Sequence, residues 1–139
     1  ACAPYGIEVV EVTVNSINDI QQAAESFLGN VDAIFVPTDN VVASSIPNLM
    51  AVANRDKIPV YGAEAGHVKS GAFASESISF YDIGYRAGEM AADILEGKKT
   101  VKDIPVEGAA QSKLYINKQE MDTLGLAVPQ SVLDRAELI

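Results

Sequence analysis

The chain is short of the residues on which most site chemistry depends. Its 139 residues include one cysteine, one histidine and no tryptophan, and only 6% are aromatic. A lone Cys2 excludes an intrachain disulfide. No second His or Cys stands at ligand spacing from His67, and the acidic residues do not form a calcium loop. A phosphate-cradling glycine loop, a G-x-G-x-x-G fingerprint and a nucleophile elbow are all missing. No cofactor or metal is therefore expected, and the chain does not read as an enzyme. Cations are scarce too: 10 Lys and Arg against 19 Asp and Glu give a net charge of −9. A surface this acidic repels phosphate backbones, which argues against a nucleic-acid partner. No apolar run approaches the roughly 20 residues that a membrane helix needs. The opening residues carry neither a basic region nor a long apolar core, so no signal peptide is visible. No apolar stretch precedes Cys2, which is therefore not read as a lipid-anchor cysteine.

What is present is an ordinary globular composition, 48% hydrophobic and 21% charged, over the length of one domain. Apolar strands alternate with helix-period segments. Residues 7–14, rich in β-branched side chains, predict a strand. Ser16-Ile17-Asn18-Asp19 offers a capping-box start, Ile17, Ile20, Ala24, Phe27 and Leu28 follow at helical spacing, and Gly29-Asn30 stops the helix. Strands are predicted at 31–36, 58–61, 72–80 and 113–117. The helix after Asp39 contains Pro47, which predicts a kink or a break near Ile46. The clearest helix spans 81–96, with Ile83, Ala87, Met90, Ala91, Ile94 and Leu95 on one stripe. A polar connection over 100–111 follows, and short helices are expected over 118–124 and 129–137. This alternation predicts an α/β fold with a mostly parallel sheet.

Ligands in such sheets bind beyond the carboxyl ends of the strands. Three strand ends here lead into small or polar residues: Thr38-Asp39-Asn40, Ala63-Glu64-Ala65-Gly66 and Ser79-Phe80-Tyr81-Asp82. Lying on one edge, they would converge on one ligand. Each also has a plainer explanation. Asp39 or Asn40 caps the next helix equally well, and a helix start also attracts an anionic group. Glu64, among alanines and glycines, suits an ammonium ligand or a solvated loop. Phe80 and Tyr81 serve as hinge packing or as an apolar wall. His67 reads as a solvated or locally hydrogen-bonded loop residue.

Val36-Pro37-Thr38-Asp39-Asn40, Ile58-Pro59-Val60-Tyr61-Gly62 and Gly71-Ala72-Phe73-Ala74 resemble the substrate-binding proteins of bacterial ABC transporters. The resemblance is to the branch linked to uptake of aromatic amino acids. It continues through Tyr81-Asp82-Ile83-Gly84-Tyr85-Arg86-Ala87-Gly88, Ile104-Pro105-Val106-Glu107, Leu114-Tyr115-Ile116-Asn117, Leu124-Gly125-Leu126 and Pro129-Gln130-Ser131-Val132-Leu133-Asp134-Arg135-Ala136. It implies a type I periplasmic-binding fold, in which two α/β lobes joined by three crossovers close on a ligand.

By that resemblance Thr38, Asp39 and Asn40 face the cleft after one strand, Glu64 and its neighbour Ala65 do so after the next, and Phe80 lies at a crossover, with Phe80 and Tyr81 counted among the ligand-binding candidates. Glu64 or Asp39 would hold the ligand ammonium, while Thr38 and backbone N–H groups would take its carboxylate. Family members are roughly twice as long, and the match is to their second half. The expectation is a parallel-sheet lobe that is incomplete: the first strand and helix of the lobe and most of the N-terminal lobe are absent. Residues 1–80 would be the partial C-terminal ligand-binding lobe. Residues 81–111 would belong with the N-terminal lobe, and 112–139 would be the return strand and C-terminal helices. The absent strand belongs between 7–14 and 31–36. That gap would be closed by direct pairing, by another chain or by residues outside this sequence.

The function expected is capture of a small amino acid-like ligand, an aromatic amino acid favoured, for delivery to an ABC permease in the membrane. Its location would be periplasmic or extracellular, and a lipid anchor on the full-length parent is compatible with this. The alternative is the effector-sensing domain of a transcriptional regulator with the same fold, which would need a helix-turn-helix upstream. An α/β enzyme ranks last.

Overall fold

The computed structural model describes residues 2–109 and 111–139. Ala1, and Ala110 in the expected polar connection, lie outside the described residues. Five strands, β1 (Ile34–Val36), β2 (Val60–Gly62), β3 (Ala74–Ile78), β4 (Ser112–Ile116) and β5 (Ala136–Leu138), form one sheet in chain order. β1, β2 and β3 are parallel, β4 runs antiparallel to β3, and β5 is parallel to β4. The α/β class and the mostly parallel sheet are as the sequence predicts.

Local chemistry accounts for the helices. The Asp19 carboxylate accepts hydrogen bonds from the Asn15 and Ser16 N–H groups (3.1 and 2.9 Å), and α1 (Ile20–Phe27) follows. These bonds hold the Asp19 carboxyl below its usual range. Helix α2 (Asn40–Ala43) ends before Pro47, and α3 (Ile46–Ala53) restarts with that proline in its first turn. The expected break near Ile46 is therefore present. Short α4 (Ala65–Lys69) links β2 to β3, and α5 (Phe80–Leu95) follows β3. Helices α6 (Lys118–Leu124) and α7 (Gln130–Leu133) come after β4.

One face of the sheet is well covered. Ile34, Val36 and Val60 point toward α1 and α3, where Ile20, Ala24, Ile46, Leu49, Met50 and Val52 complete a buried cluster. A second cluster joins Phe73, Ala74, Ile116 and Leu124. The alternate residues Phe35 and Tyr61 remain 67% and 39% exposed on the other face. An open apolar hollow of about 320 Å³ adjoins Tyr61 and is lined also by Phe73, Leu114, Ile116, Val128 and Val132, among others.

Three sequence expectations need correction. Residues 7–14 form no strand, and Ile7, Val9 and Val10 are at least half exposed. β1 ends the sheet, so β propensity here has no neighbour to pair with and direct closure of the gap does not occur. The expected helix over 129–137 shrinks to α7, because 136–138 pairs with β4 as β5. A brief turn or helix around 67–70, which the sequence also suggests, is present as α4, but His67 on it is buried rather than a solvated loop residue.

Helix α5 has the expected amphipathic stripe but no buried residue. It is tied to the following connection by Arg86, whose guanidinium donates twice to Glu107 at 2.8 Å. Lys99 also meets Asp93 at 2.8 Å.

Candidate functional site

The carboxyl ends of β1, β2 and β3 lie side by side on one edge of the sheet. Register sets their relative heights. Val36 is opposite Gly62, so Thr38 and Glu64, each two residues on, reach the same level on adjacent strands. Tyr61 is opposite Ala74, so Phe80 extends three residues beyond Glu64. Register therefore sets Thr38, Asp39, Asn40, Glu64 and Ala65 at adjacent strand ends on this edge, with the exposed aromatics Phe80 and Tyr81 at the start of α5.

Asp39 caps α2. Its Oδ1 accepts from the N–H groups of Val41 (2.8 Å) and Val42 (3.0 Å), satisfying two donors that a helix start leaves free. Both bonds go to the same oxygen, and the side chain is exposed, so capping leaves room for a second partner. Thr38 and Asn40 are exposed beside it.

Glu64 occupies the corresponding position before α4 but does not cap it. Its carboxylate turns instead to His67, with Oε1 3.1 Å from Nε2. The Glu64 side chain is 23% exposed and that of His67 is 1% exposed, so the pair spans the boundary between core and surface. The contact lies off the ring N–H direction, and neither ring nitrogen has a hydrogen-bond partner among the described residues. Gly62 makes this packing sterically feasible. A Cβ there would stand 2.5 Å from the His67 Cβ and 2.7 Å from Nδ1.

Ser79 caps α5, its Oγ accepting from the Asp82 N–H at 3.1 Å. Phe80 and Tyr81 are 58% and 78% exposed, and Tyr81 stacks on Tyr85 with ring centroids 6.3 Å apart. Sequence reasoning missed the depth of His67. Its signal was Gly62 followed by Glu64 and His67 at helical i, i+3 spacing.

Carboxylates, a hydroxyl and an aromatic rim on one strand-end edge suit a small ligand bearing an ammonium group and an apolar part. Among the described residues no cluster of His, Cys, Asp and Glu is placed to hold a metal ion. No helix among them is long and apolar enough to cross a membrane.

An α/β unit with such an edge has the architecture of a ligand-binding lobe. The sequence profile of the ABC transporter substrate binding protein family matches residues 2–139. The chain belongs to that family. It is 41% identical over 119 residues to a tyrosine-binding protein of Clostridioides difficile (strain R20291), covering 86% of this chain and 34% of that protein. The crystal structure of a conserved domain protein from Vibrio cholerae O1 biovar El Tor superposes with a TM-score of 0.86 at 38% identity. An ABC domain in complex with L-Trp from Streptococcus pneumoniae superposes with a TM-score of 0.84 at 33% identity. These two matches cover 99% and 98% of this chain and 46% of each neighbouring chain. The chain thus spans about a third of its curated relative and under half of each solved neighbour, as expected for a partial lobe.

Proposed function

We propose that the protein captures an amino acid, an aromatic one favoured, as the solute-binding component of a bacterial ABC importer. Glu64 and Asp39 take the ligand ammonium. Thr38 and neighbouring backbone N–H groups take its carboxylate, with Asn40 and Ala65 alongside. Phe80 and Tyr81 bound the side chain. The observation that carries this reading is the shared edge, on which register sets Thr38 and Glu64 level and the exposed Phe80 and Tyr81 follow β3. Further support comes from relatives described as binding tyrosine and as complexed with L-Trp.

In this proposal a second lobe completes the cleft, and residues 81–111 pack with it. The unburied apolar stripe of α5 is consistent with that. Closure of the lobes creates the state recognised by a membrane permease, which places the protein in the periplasm or outside the cell.

Calorimetry of the intact protein against the twenty amino acids tests the proposal. Binding of tryptophan, tyrosine or phenylalanine, weakened about 100-fold by Glu64→Gln through loss of a charge-assisted contact, is the expected result. Absence of amino acid binding, or binding that Glu64→Gln and Asp39→Asn both leave unchanged, would overturn it.

A further inference from the structure

We propose that His67 is a positioning residue that aims the Glu64 carboxylate at the ligand ammonium, a role that rests on the reading of Glu64 given above. The first argument is burial. His67 is 1% exposed, yet both ring nitrogens lack a hydrogen-bond partner among the described residues. A buried polar group in that condition is unfavourable, and a leucine or phenylalanine would fill the same space without the penalty. The imidazole therefore has a nitrogen free to serve a neighbouring acceptor.

The second argument is geometry. Glu64 Oε1 stands 3.1 Å from Nε2. Distance already suits a hydrogen bond, and only the direction is wrong. The imidazole is pressed against β2 at Gly62, where even a Cβ would collide with it. Glu64 is the freer partner: it makes no capping bond and its side chain reaches the surface. Rotation of the carboxylate brings Oε1 onto the Nε2–H direction and turns Oε2 outward to the strand-end edge. Ligand binding then selects this carboxylate orientation, and the Nε2–H bond formed with it holds Glu64 on the ammonium.

The third argument separates the two carboxylates. Asp39 is fixed by the backbone N–H groups of α2. Glu64 has no such support and needs another donor. His67 supplies it from below.

The test uses the intact protein, with L-tryptophan, L-tyrosine and L-phenylalanine as ligands and indole-3-propionate as a probe lacking the ammonium group. His67→Phe is expected to weaken amino acid binding about 10-fold, as loss of one hydrogen bond to a charged group would. In the Glu64→Gln background it should add less than about two-fold, because the two residues act as a unit. Indole-3-propionate affinity should not respond to His67→Phe. In protein carrying ¹⁵N in its imidazoles, amino acid binding should shift the His67 Nε2 signal toward a hydrogen-bonded value, and Glu64→Gln should abolish the shift. The His67 signal is assigned by its absence from a His67→Gln variant. If His67→Phe misfolds, that spectrum of the unsubstituted protein decides the matter.

An additive double variant, an equal loss for indole-3-propionate, or an imidazole signal that ignores the ligand would overturn the His67 role while leaving the amino acid site standing. Absence of amino acid binding would overturn both, whereas indifference of binding to Glu64→Gln alone would overturn the His67 role, the amino acid site falling with it only if Asp39→Asn is without effect as well.

Discussion

The Asn54 side-chain amide donates to Glu120 Oε2 at 3.3 Å, joining residues 66 apart in sequence and tying the end of α3 to α6. The bond bridges the α1–α3 cluster and the cluster around Ile116 and Leu124. It is incompletely satisfied, since Glu120 Oε1 and Asn54 Oδ1 have no hydrogen-bond partner. Burial raises the Glu120 carboxyl above its ordinary value of 4.5, and the Asn54 bond offsets only part of that.

The sign of the consequence follows. A carboxyl raised in the folded state binds its proton more tightly there than in the unfolded chain, so its stability penalty grows as pH rises from the ordinary value through the folded one. Glu120→Gln removes the charge, and its amide can also donate to Asn54 Oδ1. We expect it to stabilise the protein at pH 7 by about 1 kcal/mol, a few degrees in Tm. The gain should shrink toward zero at pH 4. Thermal melts at both pH values check this, and an equal or larger gain at pH 4 would contradict it.

Gly62 has a steric role that a substitution can isolate. Its φ is not in the left-handed region, so only space is at issue. A Cβ would meet the His67 Cβ at 2.5 Å. Gly62→Ala should therefore destabilise by about 2 kcal/mol, the scale of core overpacking. Trimming the ring should not rescue it, because His67→Ala retains the colliding Cβ. Recovery in the Gly62→Ala, His67→Ala double variant, measured by urea unfolding, would refute the steric account.

Features set by neighbours in the chain were the legible ones. The Asp19 cap, the break at Pro47 and the α5 stripe each follow from residues within one or two turns. Features set by distant pairing were not. Residues 7–14 have strand-forming side chains, but a strand also needs an adjacent edge, and no sequence pattern supplies one. β5 is three residues long and exists through its register with Leu114, Tyr115 and Ile116, which hydropathy alone does not reveal. The strand ends of the candidate site were readable, because glycine, proline and polar residues punctuate them. The burial of His67 was not, because it depends on α4 folding back over Gly62.

Asp39 offers a way to separate capping from recognition. Asparagine keeps an oxygen for the Val41 and Val42 N–H groups, whereas alanine does not. Asp39→Asn should hold stability within about 0.5 kcal/mol, and Asp39→Ala should lose about 1 kcal/mol. If Asp39 also meets the ligand ammonium, both variants weaken binding similarly despite their different stabilities. Affinity that follows stability instead, unchanged in the asparagine variant, would reduce Asp39 to a helix cap.

The face bearing Phe35 and Tyr61 makes a prediction for the 139-residue chain on its own. Phe35 is 67% exposed on β1, the strand that ends the sheet, and the 320 Å³ apolar hollow adjoins Tyr61. An exposed apolar face next to an unpaired parallel edge promotes association between copies. The isolated chain should therefore self-associate at micromolar concentration in sedimentation experiments and bind a hydrophobic dye. Phe35→Lys places a charge on that face without disturbing Ile34 or Val36, which point to the opposite side. It should shift the association constant at least about ten-fold toward monomer, the cost of removing one aromatic anchor from a contact. A strictly monomeric chain that binds no dye would show that the face is satisfied from within this sequence.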